Sequence, residues 1–482
     1  MQVIDSDGHL HEPFDLFERH MEKEFFSMRP RIVDMRDEQR DTGRWLVEGK
    51  LVPRLPFTKG VGGGGFRYQT PRHGQMRAKD NSLDDIEGRL QDLDQMEIDF
   101  QIVYPTALVW VFDLENKELA AAVCRAYNNY IAEQCSKARK RVSGVALVPI
   151  QDPPAAVEEA RRAIQKLGLR GVVIPGIVGN IPLHAKEFIP FFEMMNELDA
   201  PIGFHAVTGM HNTPWADCFT DFFSTHVTAM PFSMMVAMMS MVRSGLLKAL
   251  PRLRCAFLET GASWLLYWNW WVGKHIEHVL EPRAGRQESN WGREPYELPS
   301  TVHEPIEDIL EGRILSGFEG DENLRSIIDQ LGSKGFMYAS DYPHSDMDWG
   351  RVQAIKGAEA LTQAEKAALL GENARRFYNT RDLKFVIGFD ALVGQASLKE
   401  PQPGENAFEL GSKSYRSAGK ISLAQISITS WTSGPSGTPM KTCVNPWLAA
   451  KEKSSAIRSM HCPGVPAMIK RSTASSGVSD AA

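Results

Sequence analysis

Cysteine is scarce in this chain. The six residues Cys124, Cys135, Cys218, Cys255, Cys443 and Cys462 form no Cys-x-x-Cys pair, which argues against a thiolate zinc module and against the dense disulfide framework of a small secreted domain. They read as free thiols, mostly in the core. Long hydrophobic runs are missing too: no window reaches about 18 uninterrupted apolar residues. The start, MQVIDSDGHLHEP, has no basic segment leading into an apolar one, so neither a spanning helix nor a secretory leader is expected, and the expected compartment is the cytoplasm. There is no long Lys/Arg run, and the formal net charge is -6. Nucleic acid is therefore set aside as a partner, because binding a phosphate backbone needs a basic footprint. With 43% hydrophobic and 24% charged residues, the chain has the composition of a globular protein rather than a disordered one.

At 482 residues the chain exceeds what a single core usually organises, so one large domain with an appendage is expected. Short apolar or β-branched runs alternate with segments of helical period, the pattern of repeated βα units around a parallel sheet. Eight strands are expected, at 2–7, 99–104, 143–148, 170–175, 201–205, 254–259, 313–318 and 335–341. Between them, AAVEEARRAIQKL at 155–167 and FIPFFEMMNEL at 188–198 place apolar residues on one helical face, as outer helices packed on a sheet should. Several strands end in polar residues, which favours a closed (β/α)8 TIM barrel, whose chemistry sits at the C-terminal ends of its strands.

Two stretches depart from this pattern. Residues 14–80 contain a Val-Gly-Gly-Gly-Gly-Phe run at 61–66 and read as a surface excursion or as a lid over the barrel mouth. The run lacks the Lys-Ser/Thr ending of a phosphate loop. Residues 381–482 carry 12 Lys/Arg against 7 Asp/Glu and little periodicity, so a C-terminal extension of unassigned role is expected after a barrel spanning 1–380.

Ionisable residues cluster at the expected strand ends. If the first strand continues, Asp7, His9 and His11 of DSDGHLHEP point to one side. PIGFH ends on His205, CAFLETG on Glu259 and FMYASDYPH on Asp341 with His344 close behind. A polar ring or carboxylate at the end of an apolar strand is costly without a partner, and a bound cation supplies one. Nitrogen and oxygen donors without thiolate suit Zn²⁺, Mn²⁺ or Fe²⁺. The methionines at 230, 234, 235, 238, 239 and 241 read as adaptable core packing. Most of Trp264, Trp268, Trp270 and Trp271 are expected against the barrel. His226 and His344 are candidates for contact with a substrate or for orienting Asp341.

The motifs VIDSDGHLHEP, GLRGVVIP (168–175), GFH (203–205), PRLRCAFLETGASW (251–264), FEGDE (318–322), SDYPH (340–344) and GENARRFY (371–378) resemble those of the amidohydrolase-related family that includes aminocarboxymuconate-semialdehyde decarboxylase and the salicylate- and resorcylate-type decarboxylases. The resemblance covers roughly residues 1–380. It implies a distorted TIM barrel holding one divalent metal, with Zn²⁺ the first expectation and Mn²⁺ or Fe²⁺ as alternatives. The ligands it implies are a first-strand pair spaced two apart, a fifth-strand His and an eighth-strand Asp. These map onto Asp7-x-His9, His205 and Asp341, with His9-x-His11 as the competing register. The decarboxylases carry a sixth-strand His where this chain has Glu259. A homodimer is the oligomer the resemblance implies.

The leading functional expectation is a metal-dependent hydrolase acting on a small amide, ester or lactone. Metal-activated water would attack, Asp341 would accept its proton, and Glu259 and His344 would serve as accessory catalytic groups. The alternative is a metal-dependent non-oxidative decarboxylase of a small acid. A catalytically silent binding protein is the third reading.

Overall fold

A computed structural model describes residues 1–34, 43–52, 76–79, 81–138, 140–205, 218–280, 302–344 and 347–380. All of the described residues belong to one compact unit. The Gly-rich run and the C-terminal extension lie outside the described residues.

All eight expected strands are present: β1 (Ile4–Leu10), β2 (Phe100–Pro105), β3 in two pieces (Val142–Gly144 and Ala146–Leu147), β4 (Val172–Ile174), β5 (Ile202–His205), β6 (Cys255–Leu258), β7 (Ile314–Phe318) and β8 (Phe336–Tyr338). Each pairs in parallel with its successor, β3 pairing with β2 through its first piece and with β4 through its second. Strands such as FQIVYP are buried along their whole length, because a parallel sheet is covered on both faces. The expected helices form as Pro153–Gln165 and Ile189–Glu197.

Among the described residues no ladder joins β8 to β1. The seam is bridged just beyond β8, where Asp341 N–H donates to the Asp7 carbonyl at 3.0 Å and His9 N–H donates to the Tyr342 carbonyl at 2.7 Å. The chain thus folds as a distorted TIM barrel. The last helical segment, Asn373–Phe377, supports β8 from outside, with Asn373 Nδ2 donating to the carbonyls of Ser333 and Phe336 at 2.7 and 2.8 Å. This accounts for the GENARRFY motif in structural terms.

The described part of the 14–80 excursion is ordered. Its antiparallel sheet, Arg31–Asp34, Gly43–Val47 and Lys50–Val52, buries Trp45 edge-on against Phe17 at 5.2 Å between ring centroids. The helix Phe222–Ser244 sends Met230, Met234, Met238 and Met241 into the core, as expected of adaptable packing. Its span Phe223–Ser244 is long and apolar enough to cross a membrane, yet 56% of its apolar window is buried inside the fold. The tryptophans divide. Trp264 packs edge-on against Phe257 and Trp268 against the core, but Trp270 and Trp271 are 52% and 40% exposed, because they face outward on the helix Ser263–Leu280.

Candidate metal centre at the barrel mouth

β1 runs on to Leu10 instead of stopping at Asp7, and its register against β2 slips between Asp5 and Gly8. With the strand extended, Asp7 and His9, two residues apart, point together into the barrel interior, and both are buried. β5 ends on His205 and β6 ends one residue before Glu259. β8 stops at Tyr338, short of the expected end at Asp341. The reason is conformational: Asp341 has φ +56° and Glu259 has φ +61°, a left-handed backbone that no strand residue adopts. Each such residue costs on the order of 1–3 kcal/mol, and that cost persists where the surroundings enforce it. Gly261, at φ +65°, completes the turn after Glu259, and the next helix starts against Glu322. That carboxylate accepts from the N–H groups of Ala262, Ser263 and Glu319 at 2.6–2.9 Å, which explains the FEGDE motif.

Six of the expected residues converge. His9 Nε2 lies 3.6 Å from Asp7 Oδ1, 3.4 Å from Asp341 Oδ1, 3.8 Å from Glu259 Oε1 and 3.4 Å from His205 Nε2. His205 Nε2 is 3.5 Å from Glu259 Oε2, and His344 Nδ1 is 2.6 Å from Asp341 Oδ1 and 3.5 Å from Glu259 Oε1. The donor atoms fall into two overlapping groups, Asp7, His9 and His205, and His9, Glu259, Asp341 and His344, each within 4.8 Å. His11 belongs to neither, although its ring centroid is 5.9 Å from that of His344. His226 stands close enough for its charge to act on Glu259.

Electrostatically the groups are in conflict. Burial, reinforced by Glu259, Asp341 and Asp5, pushes the Asp7 carboxyl well above its ordinary range. Burial also pulls His9 well below its ordinary value, with His344 and His205 adding to the effect. For His344 burial opposes the charge, but Asp341 and Glu259 outweigh it and raise the imidazole well above its usual range. Burial likewise works against ionised Glu259, but His205, His344 and His226 hold it below the ordinary carboxylate value.

A divalent ion fits this arrangement. Asp7 Oδ1 is buried and accepts no hydrogen bond among the described residues. Ligand atoms about 2.0–2.2 Å from one ion stand roughly 3–3.5 Å from each other, close to the spacings around His9 Nε2. The His9 ring has other support as well, a bond to the Pro105 backbone and a 3.4 Å contact of its Nδ1 with Thr106 Oγ1, of the kind that metal-binding histidines have. Thr106 Oγ1 also meets His344 Nε2 at 2.9 Å. Thr106 is in turn fixed by Glu12, a buried carboxylate accepting from the N–H groups of Thr106, Ala107 and Leu108 at 3.0–3.2 Å and pushed up to about 7 by that burial. Sequence reasoning missed Glu12 and Thr106. The one available signal was an acid directly after the ligand motif.

Residues 4–380 match the family described as amidohydrolase. The chain belongs to this family. It is accordingly an enzyme of the metal-dependent hydrolase or carboxy-lyase type. Among amidohydrolase-family relatives it is 25% identical over 316 residues to 2-amino-3-carboxymuconate-6-semialdehyde decarboxylase of Dictyostelium discoideum, covering 64% of this chain and 81% of that one. It is 24% identical over 312 residues to gamma-resorcylate decarboxylase of a Rhizobium species, covering 61% and 88%. A solved structure of 5-carboxyvanillate decarboxylase from Novosphingobium aromaticivorans, with bound manganese and 3-methoxy-4-hydroxy-5-nitrobenzoic acid, shares the fold with a TM-score of 0.55 at 19% identity, covering 78% of this chain and 97% of that one.

Proposed function

We propose that the chain is a metal-dependent, non-oxidative decarboxylase of a small, oxygen-substituted carboxylic acid, aromatic or unsaturated. The observation that carries this reading is the similarity to two decarboxylases over 81% and 88% of their own lengths. It reverses the order expected from the sequence alone, which ranked hydrolysis first.

Asp7, His9, His205 and Asp341 would hold the ion. Bound there, the ion supplies Lewis-acid stabilisation for a substrate carboxylate and a neighbouring oxygen. The reaction breaks the bond from carbon to carboxylate, releases CO₂ and puts one proton on the carbon left behind. The His344–Asp341 pair, 2.6 Å apart, is the place to hold and deliver that proton. Thr106 steadies the far side of the His344 ring, and Glu259 stands beside both as a second proton acceptor. Mn²⁺ is the first ion to try, given the manganese-bound fold relative, and Zn²⁺ the second.

Hydrolysis is the second reading because Glu259, 3.8 Å from His9 Nε2 and 3.5 Å from His205 Nε2, is a carboxylate suited to accept a proton from water, at a position where the resemblance implies a histidine in the decarboxylases. The test is product analysis. Protein loaded with Mn²⁺ or Zn²⁺ is given dihydroxybenzoates, carboxyvanillate-type acids and aminocarboxymuconate-type acids, and in parallel small lactones, esters and amides. CO₂ release with a matching C–H product supports decarboxylation. Turnover confined to the second set overturns it.

A further inference from the structure

The seam between β8 and β1 divides the candidate site, with Asp7 and His9 on one side and Asp341 on the other. Elsewhere around the barrel, parallel ladders set the spacing of neighbouring strands. Here backbone bonds beyond β8 do part of that work, and a buried cation does the rest.

Arg89, on the helix Ile86–Gln95, is fully buried. Its Nη2 donates to the His9 carbonyl at 2.5 Å and to the Tyr342 carbonyl at 3.4 Å, one from each side of the seam. The guanidinium also lies 4.1 Å from the centroid of the Tyr342 ring. Its Nε donates to Gln101 Oε1 at 3.0 Å, and Gln101 Nε2 donates to Asp5 Oδ2 at 2.6 Å. Asp5 accepts from Ser340 N and Ser340 Oγ at 2.9 and 2.6 Å. A continuous run of bonds thus crosses from β2 through β1 to the segment after β8. It needs Gly8: a Cβ there would stand 2.3 Å from Gln101 Nε2 and 2.8 Å from Asp5 Oδ2.

We propose that Arg89 is a positioning residue for the ion site, setting the distance between the β1 donors Asp7 and His9 and the β8-side donor Asp341. The planar guanidinium fork reaches both carbonyls and Gln101 at once. A lysine ammonium is a single point and cannot hold the same three acceptors in that geometry. This inference rests on the reading of the mouth as an ion site.

The test measures Mn²⁺ affinity by chelator competition, alongside the unfolding midpoint of metal-free protein, for wild type, Arg89→Lys, Ser340→Ala and a remote control, Asp308→Asn. Arg89→Lys is expected to weaken Mn²⁺ binding about 10- to 100-fold, as lost outer-shell support does, and Ser340→Ala to weaken it by a smaller factor. Asp308→Asn is expected to lower the midpoint while holding affinity within about twofold, since distant sites act independently. Wild-type affinity in Arg89→Lys overturns the proposal. So does an equal loss of affinity in Asp308→Asn, which would reduce Arg89 to general stability. If Arg89→Lys does not fold, wild-type affinity in Ser340→Ala overturns it. A wild type that binds neither Mn²⁺ nor Zn²⁺ overturns the ion-site reading itself, and the proposal with it.

Discussion

The barrel mouth and the N-terminal end of β7 both bury histidine beside carboxylate, yet they handle these groups differently. Near β7, His303 bonds one oxygen of Asp308 and Arg313 Nη2 donates to the other, while Arg313 Nη1 donates to the Leu247 carbonyl. Each oxygen of the buried carboxylate has a partner at hydrogen-bond distance. At the mouth, the contacts around His9 Nε2 run from 3.4 to 3.8 Å and Asp7 Oδ1 accepts no hydrogen bond among the described residues. A buried polar cluster that saturates itself is structural. One that converges while a buried carboxylate oxygen accepts no hydrogen bond among the described residues has room for a further partner.

The largest effect that could break this contrast comes from the mouth. His205→Ala and Asp341→Ala should each lose bound metal and at least about 10³-fold in turnover, because each removes one of the four proposed ligands and Asp341→Ala also breaks the proposed proton-handling pair. Elemental analysis beside kinetics checks this, and full metal content in either variant would remove the contrast. Next, Asp308→Ala should lower unfolding free energy by about 3–5 kcal/mol, the cost of stranding a buried partner, while metal content stays at the wild-type level. Urea denaturation with metal analysis reads both.

A third prediction concerns pH. The Asp7 carboxyl is raised in the folded, metal-free protein, so the folded state binds that proton more tightly than the unfolded chain does. Its contribution to stability is present below the unfolded value of about 4 and is lost as pH rises toward the folded value, at about 1.4 kcal/mol per unit of elevation. Metal-free Asp7→Asn should therefore be more stable than metal-free wild type at pH 7–8 and converge with it near pH 4, while failing to take up metal. Thermal melts of both proteins across that range settle the sign, and a stability difference between them that fails to grow from pH 4 to pH 8 would contradict it.

The smallest effect sharpens the criterion. Glu322 lies in the loop after β7, but it is saturated by three backbone N–H groups. Glu322→Ala should cost about 1–2 kcal/mol, the scale of a lost helix cap, and leave metal binding intact. If calorimetry shows that stability change while metal is lost as well, saturation is the wrong criterion.

Much of this was legible in the sequence, because the barrel strands are short apolar runs between amphipathic helices. All eight strands fell where periodicity put them, with only their ends moving. Asp7, His9, His205, Glu259, Asp341 and His344 could be singled out because each stands near the end of an apolar run, where an ionisable group is expensive. Arg89 could not be, since on an amphipathic helix a lone arginine reads as solvent-facing. Gln101 was hidden inside β2, and Asp5 looked like one more acid in DSDGH. Glu12 and Thr106 are 94 residues apart in sequence, and nothing local to either announces their bond.

The sequence by itself therefore determined the alternation of strands and helices, and the residue types delivered to the strand ends, because both follow from local periodicity and the cost of burying charge. Only the tertiary structure decided that β1 slips register between Asp5 and Gly8, that Asp341 and Glu259 sit in left-handed turns rather than in strands, and that Arg89 bridges the seam. These depend on closing a sheet into a barrel, where residues hundreds of positions apart must share one set of hydrogen bonds.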